Sequence, residues 1–292
     1  MDITLALGGG GSKGNSHIGV LRRLEQEGFK VRAIAGTSFG GVVSVFYALG
    51  YTPDEIEETF AKFDQSSLYG RLPHDEPSFA GFAGGVKWLG NHLGERTFSD
   101  TKIPCVLTAV DLKSGREIIL SDGLLLDALL ATIAIPGIFP AQCIGEYELV
   151  DGGALDPVPV APARALAPKL PVIAVSLNAP IGEPAQSWNL TGLKIIPSSI
   201  AERLSRLRYA QAMDVVLRSV DLMMRAVAEN RLAIDKPDVV IRPQVMDIDT
   251  LAKVDVHEIV KRGERAVDEV LPELKALSAW RNRAARALKF WD

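Results

Sequence analysis

The sequence predicts an α/β protein whose central sheet is mostly parallel and which forms a single domain over residues 1–292. In the first third of the chain, short apolar runs alternate with segments of helical periodicity. The order strand, helix, strand, helix implies parallel strands joined by right-handed crossovers. No repeat, low-complexity tract or linker in the sequence marks a boundary between domains.

The first two strand–helix units are read from the apolar pattern. Residues 3–7 predict a strand, and a glycine-rich loop leads into a helix over residues 15–27 that ends before Gly28. Residues 31–35 predict the second strand and residues 39–49 the helix that follows it. A further helix is expected to begin at "TPDE", where threonine and glutamate make a capping box and proline suits the first turn.

The middle of the chain first lacks a regular apolar pattern and then returns to predicted strands and helices. Residues 64–97 are rich in glycine, proline and serine, so we expect an irregular excursion that covers a site. Later strands are predicted in "IPCVLTAVDL", "REIIL", "YELVDGG", "PVIAVSLNA" and "DVVIRP". An apolar helix is predicted before the turn "AIPGIFP", and long helices over residues 199–233 and 255–290, within a helical C-terminal extension over about residues 199–292.

The composition is that of an ordinary globular protein. Hydrophobic residues make up 47% and charged residues 23% of the chain, and the net charge of −4 favours neither nucleic acid nor an anionic membrane as a partner. Cys105 and Cys143 lie in apolar contexts and are expected as buried thiols, without a disulfide. No ligand cluster for a metal is visible, and no cofactor is expected.

The sequence also predicts a cytoplasmic location. The N-terminus has no basic region and passes from a short apolar run into glycines, unlike a signal peptide. The most apolar window, residues 124–141, is interrupted by Asp127, Pro136 and Pro140. We therefore expect a buried helix and turn there, with no transmembrane span.

The loop "LGGGGSKG" follows a strand and opens a helix, so its amides and the helix dipole favour negative charge, either a phosphate or a developing oxyanion. The spacing Gly9-x-Gly11-x-x-Gly14 fits a dinucleotide-binding fingerprint, but the acidic residue expected about 20 positions later is absent. The order Ser12-Lys13 departs from the Lys-Ser/Thr of a P-loop. A packing turn without a ligand is the remaining alternative.

The segment "GTSFG" is a Gly-x-Ser-x-Gly motif centred on Ser38, between a predicted strand and helix, where a nucleophile elbow belongs. Gly36 and Gly40 let the strand and helix approach closely enough to hold the serine in a strained turn. Since adjacent parallel strands end at the same edge of a sheet, Ser38 and the glycine loop are expected to face one space. The amides of Gly10 and Gly11 would then stabilise an oxyanion.

A base for Ser38 is expected to be a carboxylate. Of the four histidines, His17 is interpreted as a packing residue, His74 and His92 as exposed residues of the irregular excursion, and His257 as part of a helix.

Asp151 is the carboxylate that we expect to act as base in place of a histidine. It follows an apolar strand and precedes Gly152 and Gly153, so it is expected at a strand end with little steric cover. Burial would raise its pKa, and a direct hydrogen bond to Ser38 would orient it. Its alternative role is that of a turn aspartate that binds its own backbone.

The chain resembles the patatin-like phospholipase family from about residue 3 to about residue 180. The resemblance rests on five segments that occur in the order and with the spacing of that family: "GGGGSKGNSHIGVL", "GTSFGG", "AVDLKSG", "AIPGIFP" and "DGGALDPVPV". The resemblance implies a three-layer α/β/α fold and a Ser-Asp dyad without histidine, with Ser38 as nucleophile and Asp151 as base. It implies an oxyanion-hole loop at Gly9-Gly10-Gly11-Ser12-Lys13-Gly14. The family usually has arginine at the position of Lys13. Lysine keeps the positive charge but lacks the planar guanidinium group that can make two parallel hydrogen bonds.

The function expected from these features is hydrolysis of a lipid or lysolipid ester through an acyl-serine intermediate. An acyltransferase that uses the same acyl-enzyme is an alternative, as is a non-catalytic module that binds lipid or nucleotide. The presence of both Ser38 and Asp151 disfavours the lipid-binding module, and the missing acidic residue disfavours the nucleotide-binding one.

The C-terminal stretch "SAWRNRAARALKFWD" combines tryptophan and arginine in an amphipathic pattern. Such a helix suits peripheral contact with an anionic membrane, and its alternative is docking on the protein's own helices.

Overall fold

The computed structural model describes residues 1–73, 75–182 and 208–277. Within these residues, eight strands form one sheet. The strands are β1 (Asp2–Leu7), β2 (Lys30–Thr37), β3 (Cys105–Asp111), β4 (Arg116–Leu120), β5 (Gln142–Ile144), β6 (Tyr147–Asp151), β7 (Val172–Val175) and β8 (Val239–Ile241). The helices are α1 (Ser16–Gln26), α2 (Phe39–Ala48), α3 (Pro53–Ala61), α4 (Ala83–Leu93), α5 (Leu125–Thr132), α6 (Val160–Leu166), α7 (Arg208–Asp235) and α8 (Val256–Leu277).

The strand order is β5-β6-β3-β2-β1-β7-β8, and β4 pairs with β3. Five neighbouring strands, β3, β2, β1, β7 and β8, are parallel to one another. Strands β4, β5 and β6 pair antiparallel with their neighbours. Leu7 pairs with Gly36, so β1 and β2 reach the same edge of the sheet. The glycine loop after β1 and the serine after β2 are therefore neighbours, as the sequence predicts.

Helices cover both faces of the sheet. Along β1, Leu5 belongs to the core cluster shared with α1, α2 and α8, and Ala6 belongs to the cluster shared with α6 and α7. This alternation follows from the two-residue period of a strand. The result is the expected three-layer α/β/α fold with a mostly parallel central sheet.

Two glycines bring α1 and α8 into backbone contact. A Cβ on Gly19 of α1 would overlap the carbonyl oxygen of Val260, and a Cβ on Gly263 of α8 would overlap that of Ser16. Glycine is the residue that permits such an approach of two helix backbones. Helix α8 is thus part of the layer that covers β1.

Four features differ from the expectations: the regularity of residues 64–97, the exposure of His92, the presence of β5 and the exposure of Cys143. Residues 64–97 contain the regular helix α4, on which His92 is half-buried and not exposed. Strand β5 was not expected, and Cys143 within it is exposed, while Cys105 is buried as predicted.

The capping box is confirmed, since the Thr52 hydroxyl accepts from the Glu55 amide and the Glu55 carboxylate accepts from the Thr52 amide.

In the described part of the chain, no helix is both long and apolar enough to cross a bilayer. His74, the segment 199–207 of one predicted helix and the C-terminal segment 278–292 lie outside the described residues.

Candidate active site

Ser38 occupies the turn between β2 and α2. Its backbone angles are φ 55° and ψ −129°, a left-handed conformation that residues other than glycine rarely adopt. The turn places the serine at the carboxyl edge of the sheet, beyond the last strand residue, and only 6% of its surface is exposed. This is the geometry of a nucleophile elbow.

The glycines around Ser38 make this turn possible. A Cβ on Gly40 would overlap the Leu7 carbonyl oxygen, and a Cβ on Gly36 would lie 2.6 Å from the Gly41 nitrogen. The first turn of α2 therefore lies directly against the ends of β1 and β2. The structure thus gives Gly36 and Gly40 the close approach that the motif predicts.

Thr132, at the end of α5, holds the elbow from the other side. Its Oγ1 accepts a 2.9 Å hydrogen bond from the Ser38 amide and donates one of 2.7 Å to the Thr108 carbonyl. All of these groups are buried, so each needs its partner. Sequence reasoning missed Thr132, because nothing in the apolar run "LLDALLAT" indicates that its last hydroxyl binds a backbone amide far away in the sequence.

Asp151 ends β6 and faces Ser38. The Ser38 Oγ donates a 2.5 Å hydrogen bond to Oδ2 of Asp151, and the Gly153 amide donates one of 2.8 Å to Oδ1. The Asp151 amide donates to the Ala134 carbonyl, which fixes the backbone. A Cβ on Gly152 would overlap the Thr108 hydroxyl, so this glycine lets the turn after β6 pack against β3.

Asp151 is 4% exposed, and this burial shifts the pKa of its carboxyl group. Burial raises the pKa of Asp151 to about 6, while the hydrogen bonds from Ser38 and Gly153 act in the opposite direction. A carboxylate with this pKa is a better proton acceptor than an exposed aspartate and is still ionised at neutral pH.

The glycine loop lies against the serine. A Cβ on Gly9 would come within 3.1 Å of the Ser38 Cβ. The amide of Gly8 donates to Val175 and that of Gly9 to Pro157, so neither is available for a ligand. No acceptor among the described residues pairs with the amides of Gly10 and Gly11, the two that the sequence analysis assigned to an oxyanion.

The remaining residues of the loop anchor it. Gly11 has φ +56°, which glycine adopts without strain. Ser12 donates from its amide to Thr250 and from its hydroxyl to Ala252. A Cβ on Gly14 would overlap the ring of Phe39.

Lys13 is almost fully buried beside this loop. Burial lowers the pKa of Lys13 to about 8, although the carboxylates of Asp221 and Asp249 raise it and oppose the shift. Gly11 and Ser12 line the cavity next to Ser38, whereas Lys13 does not. The lysine charge therefore lies behind the loop.

The described histidines are not placed as bases for Ser38. His17 is fully buried and donates from Nε2 to the Gly8 carbonyl at 2.8 Å, and burial lowers its pKa to about 4. This neutral side chain supports the glycine loop. His257, on α8, pairs with Glu57 of α3 at an exposed position, and His92 binds the Trp88 carbonyl within α4.

An apolar cavity of about 200 Å³ adjoins the serine. Its walls come from the glycine loop, α2, α3, α4, the segment 63–69, the turn after α5 and the segment 250–256. Aromatic and aliphatic side chains predominate, which suits a hydrocarbon ligand. The described residues contain no group of His, Cys, Asp and Glu arranged to hold a metal ion.

The chain is similar in sequence to several known proteins. An NTE family protein of Mycobacterium tuberculosis is 35% identical over 208 residues, which cover 70% of this chain and 55% of the relative. The human patatin-like phospholipase domain-containing protein 6 is 28% identical over 228 residues, covering 71% of this chain and 16% of that protein. The chain thus spans about half the length of the mycobacterial relative.

The fold also matches a solved structure. VipD from Legionella pneumophila superposes with a TM-score of 0.51 at 13% identity, over 93% of this chain and 66% of that one. This likeness concerns the fold alone. The sequence model of patatin-like phospholipases matches residues 5–164, more than half of the chain. The chain therefore belongs to the patatin-like phospholipase family, a family of lipid ester hydrolases.

Proposed function

We propose that the protein is a serine acyl hydrolase that cleaves the ester bond of a lipid or lysolipid, with Ser38 as nucleophile and Asp151 as base. The observation that carries this proposal is the 2.5 Å hydrogen bond from the hydroxyl of Ser38, which lines an apolar cavity, to the buried carboxylate of Asp151. A nucleophile within hydrogen-bond reach of its base is the arrangement that covalent catalysis requires.

In the acylation step, the Ser38 oxygen attacks the ester carbonyl while its proton passes to Oδ2 of Asp151. The carbonyl oxygen becomes an oxyanion near the amides of Gly10 and Gly11. Collapse of this tetrahedral species breaks the bond to the alcohol, which leaves with the proton from Asp151. The product is an acyl-serine and a free alcohol or lysolipid.

In the deacylation step, Asp151 accepts a proton from water, which attacks the acyl-serine carbonyl. The second tetrahedral species expels the Ser38 oxygen, which regains the proton. The fatty acid is released and both side chains return to their starting states. In known enzymes, removal of one oxyanion-hole donor lowers kcat by about 10²–10³-fold. The amides of Gly10 and Gly11, which have no acceptor among the described residues, are therefore a substantial part of the proposed mechanism.

The Gly153 amide keeps the carboxylate in place through both steps. It binds Oδ1 and leaves Oδ2 for the serine, so the two oxygens have separate tasks. The supporting bond to Oδ1 takes the orienting role that a third residue plays in a triad.

Labelling with a fluorophosphonate probe, together with hydrolysis of a short p-nitrophenyl ester, tests the proposal. We expect the wild-type protein to be labelled and to release p-nitrophenol, and Ser38→Ala to do neither. Labelling of Ser38→Ala at the wild-type rate would place the nucleophile elsewhere. Adding glycerol as an acceptor separates hydrolysis from acyl transfer, since a transferase would form the glycerol ester in place of free fatty acid.

A further inference from the structure

The cavity beside Ser38 follows helix α2 away from the catalytic edge. Ser38, Phe39 and Val42 line it from one end of the helix. The turn after α5 lines the same end, because Thr132, which binds the Ser38 amide, is followed directly by the lining residue Ile133. An acyl group attached to Ser38 therefore has an apolar path along α2.

The polar lining residues lie towards the glycine loop. Gln65 is bound at both ends of its amide to the backbone of Val254, and Ser12 is bound to Ala252 two residues earlier. The wall formed by this segment carries Lys253, the charged residue among the cavity-lining side chains. The polar part of a substrate is thus accommodated on this side, and the hydrocarbon on the side of α2 and α4.

Because Trp88 of α4 stacks on Phe46, about two turns of α2 beyond Ser38, we place it at the far end of the apolar path. Its ring centroid lies 5.4 Å from that of Phe60, 5.0 Å from that of Phe63 and 5.7 Å from that of Phe46. Phe60, Phe63 and Trp88 all line the cavity, whereas Phe46 is buried behind them. One turn earlier on α4, Gly85 also lines the cavity and contributes no side chain. The indole is therefore the bulkiest barrier on this wall.

The length of the path follows from helix geometry. Phe46, on which Trp88 stacks, is eight residues beyond Ser38, so about 12 Å of helix axis separates them. A carbon chain with bonds of about 1.5 Å at tetrahedral angles advances about 1.3 Å per carbon. The path therefore holds about nine carbons beyond the serine.

We propose that Trp88 is a specificity-determining residue that closes the acyl-binding cavity, and that the protein prefers a single acyl chain of about 8–12 carbons. This inference rests on the proposed function, since it assumes that the acyl group is attached to Ser38. Each methylene that enters the cavity is expected to raise kcat/KM about fourfold until the chain reaches the indole, and longer chains are expected to react more slowly.

The test is a series of saturated p-nitrophenyl esters from butanoate to hexadecanoate, with kcat/KM measured for each. The wild-type optimum is expected near decanoate. In Trp88→Ala the optimum moves to longer chains, and the ratio of kcat/KM for tetradecanoate to that for octanoate rises by about tenfold or more. Trp88→Phe, which removes less volume and keeps an aromatic ring in the cluster, is expected to give a smaller shift in the same direction.

Leu93→Ala is the matched control. Leu93 is buried on the same helix but does not line the cavity, so its truncation perturbs α4 without lengthening the path. The tetradecanoate-to-octanoate ratio of Leu93→Ala is expected to equal that of the wild type. An unchanged ratio in both Trp88 variants, or the same shift in Leu93→Ala, would overturn the assignment of Trp88.

A binding measurement separates this inference from the proposed function. In Ser38→Ala, calorimetry with free fatty acids of the same lengths is expected to show tightest binding near ten carbons, and the added Trp88→Ala change is expected to move that maximum to longer chains. Folded wild-type protein that hydrolyses no ester would contradict the proposed function. Fatty-acid binding whose maximum does not move would contradict the role of Trp88.

Discussion

Ser38 donates a 2.5 Å hydrogen bond directly to Asp151, although 113 positions separate the two residues in the chain. The sheet topology brings them together. Ser38 follows β2, and Asp151 ends β6, whose antiparallel pairing with β3 brings Asp151 opposite Ala109. No third side chain intervenes between hydroxyl and carboxylate.

The first prediction concerns the two members of this pair. Asp151→Asn keeps the size of the side chain and removes its basicity, so kcat is expected to fall by about 10²–10⁴-fold. Ser38→Ala is expected to abolish turnover. His257→Ala serves as the control, because that side chain pairs with Glu57 at an exposed position, and its activity is expected to remain that of the wild type. Ester hydrolysis that survives in Asp151→Asn and disappears in folded His257→Ala would refute the dyad.

The second prediction is an acidic limb in the pH profile. Asp151 acts as base only when ionised, and burial raises its pKa to about 6. We therefore expect kcat/KM to rise with pH through about 6 and to level off above it. A profile of short-ester hydrolysis between pH 4 and 9 measures this limb. A midpoint near the ordinary aspartate value would contradict the raised pKa of Asp151, and a midpoint well above 6 would show that a different group controls the reaction.

The third prediction concerns stability. The folded protein keeps a proton on Asp151 between pH 4 and 6, where the unfolded chain has lost it, so the free energy of unfolding falls as pH rises through this window. Asparagine does not titrate. The stability of Asp151→Asn relative to the wild type is therefore expected to be greater at pH 8 than at pH 4, by ~2 kcal/mol. Urea unfolding of both proteins at the two pH values measures this difference, and an equal offset at both would contradict the raised pKa.

The fourth prediction concerns the threonine that holds the elbow. Thr132→Val removes the acceptor of the Ser38 amide and the donor to the Thr108 carbonyl. Each buried group left without a partner is expected to destabilise the fold by about 1–3 kcal/mol, and the loosened elbow is expected to lower kcat. Thr132→Ser keeps both hydrogen bonds, so its kcat should lie close to that of the wild type. A serine variant as impaired as the valine variant would show that the methyl group, and not the hydroxyl, matters.

The fifth prediction concerns the proposed peripheral contact with a membrane. Deleting residues 279–292 is expected to weaken sedimentation with anionic liposomes while hydrolysis of a soluble ester continues. Liposome binding that equals the wild type would contradict this role. A loss of both soluble-ester activity and thermal stability would instead support docking of the segment on the protein itself.

The core of the fold was predictable because its signals are local. The alternation of apolar strands and helices predicts a parallel sheet. In such a sheet β1 and β2 end at the same edge, so the glycine loop and Ser38 are neighbours irrespective of how the later strands pair. The position of Asp151 at a strand end was also visible in the sequence. Its distance from Ser38 was not, because that depends on the antiparallel pairing of β6 with β3.

Helix α4 was missed for a specific reason. Its sequence, "AGGVKWLGNHL", contains three glycines, which lower helix propensity. The structure shows why two of them are tolerated: a Cβ on Gly84 would overlap the Ser67 carbonyl, and one on Gly85 would overlap the ring of Phe82. Tertiary packing therefore selects residues that local propensity disfavours. Strand β5 is only a short pairing with β6, too brief for a two-residue alternation to identify.

The close contact of α1 with α8 at Gly19 and Gly263 also limits how far the chain can be shortened from its C-terminal end. The segment that matches the family ends at residue 164, before β7 and α8. A fragment ending there would leave β1 with an unpaired edge and α1 with an uncovered apolar side, because β7 pairs with β1 and α8 packs on α1 through Gly19 and Gly263. The minimal unit for expression or for transplanting this site into another scaffold therefore has to extend at least to residue 277.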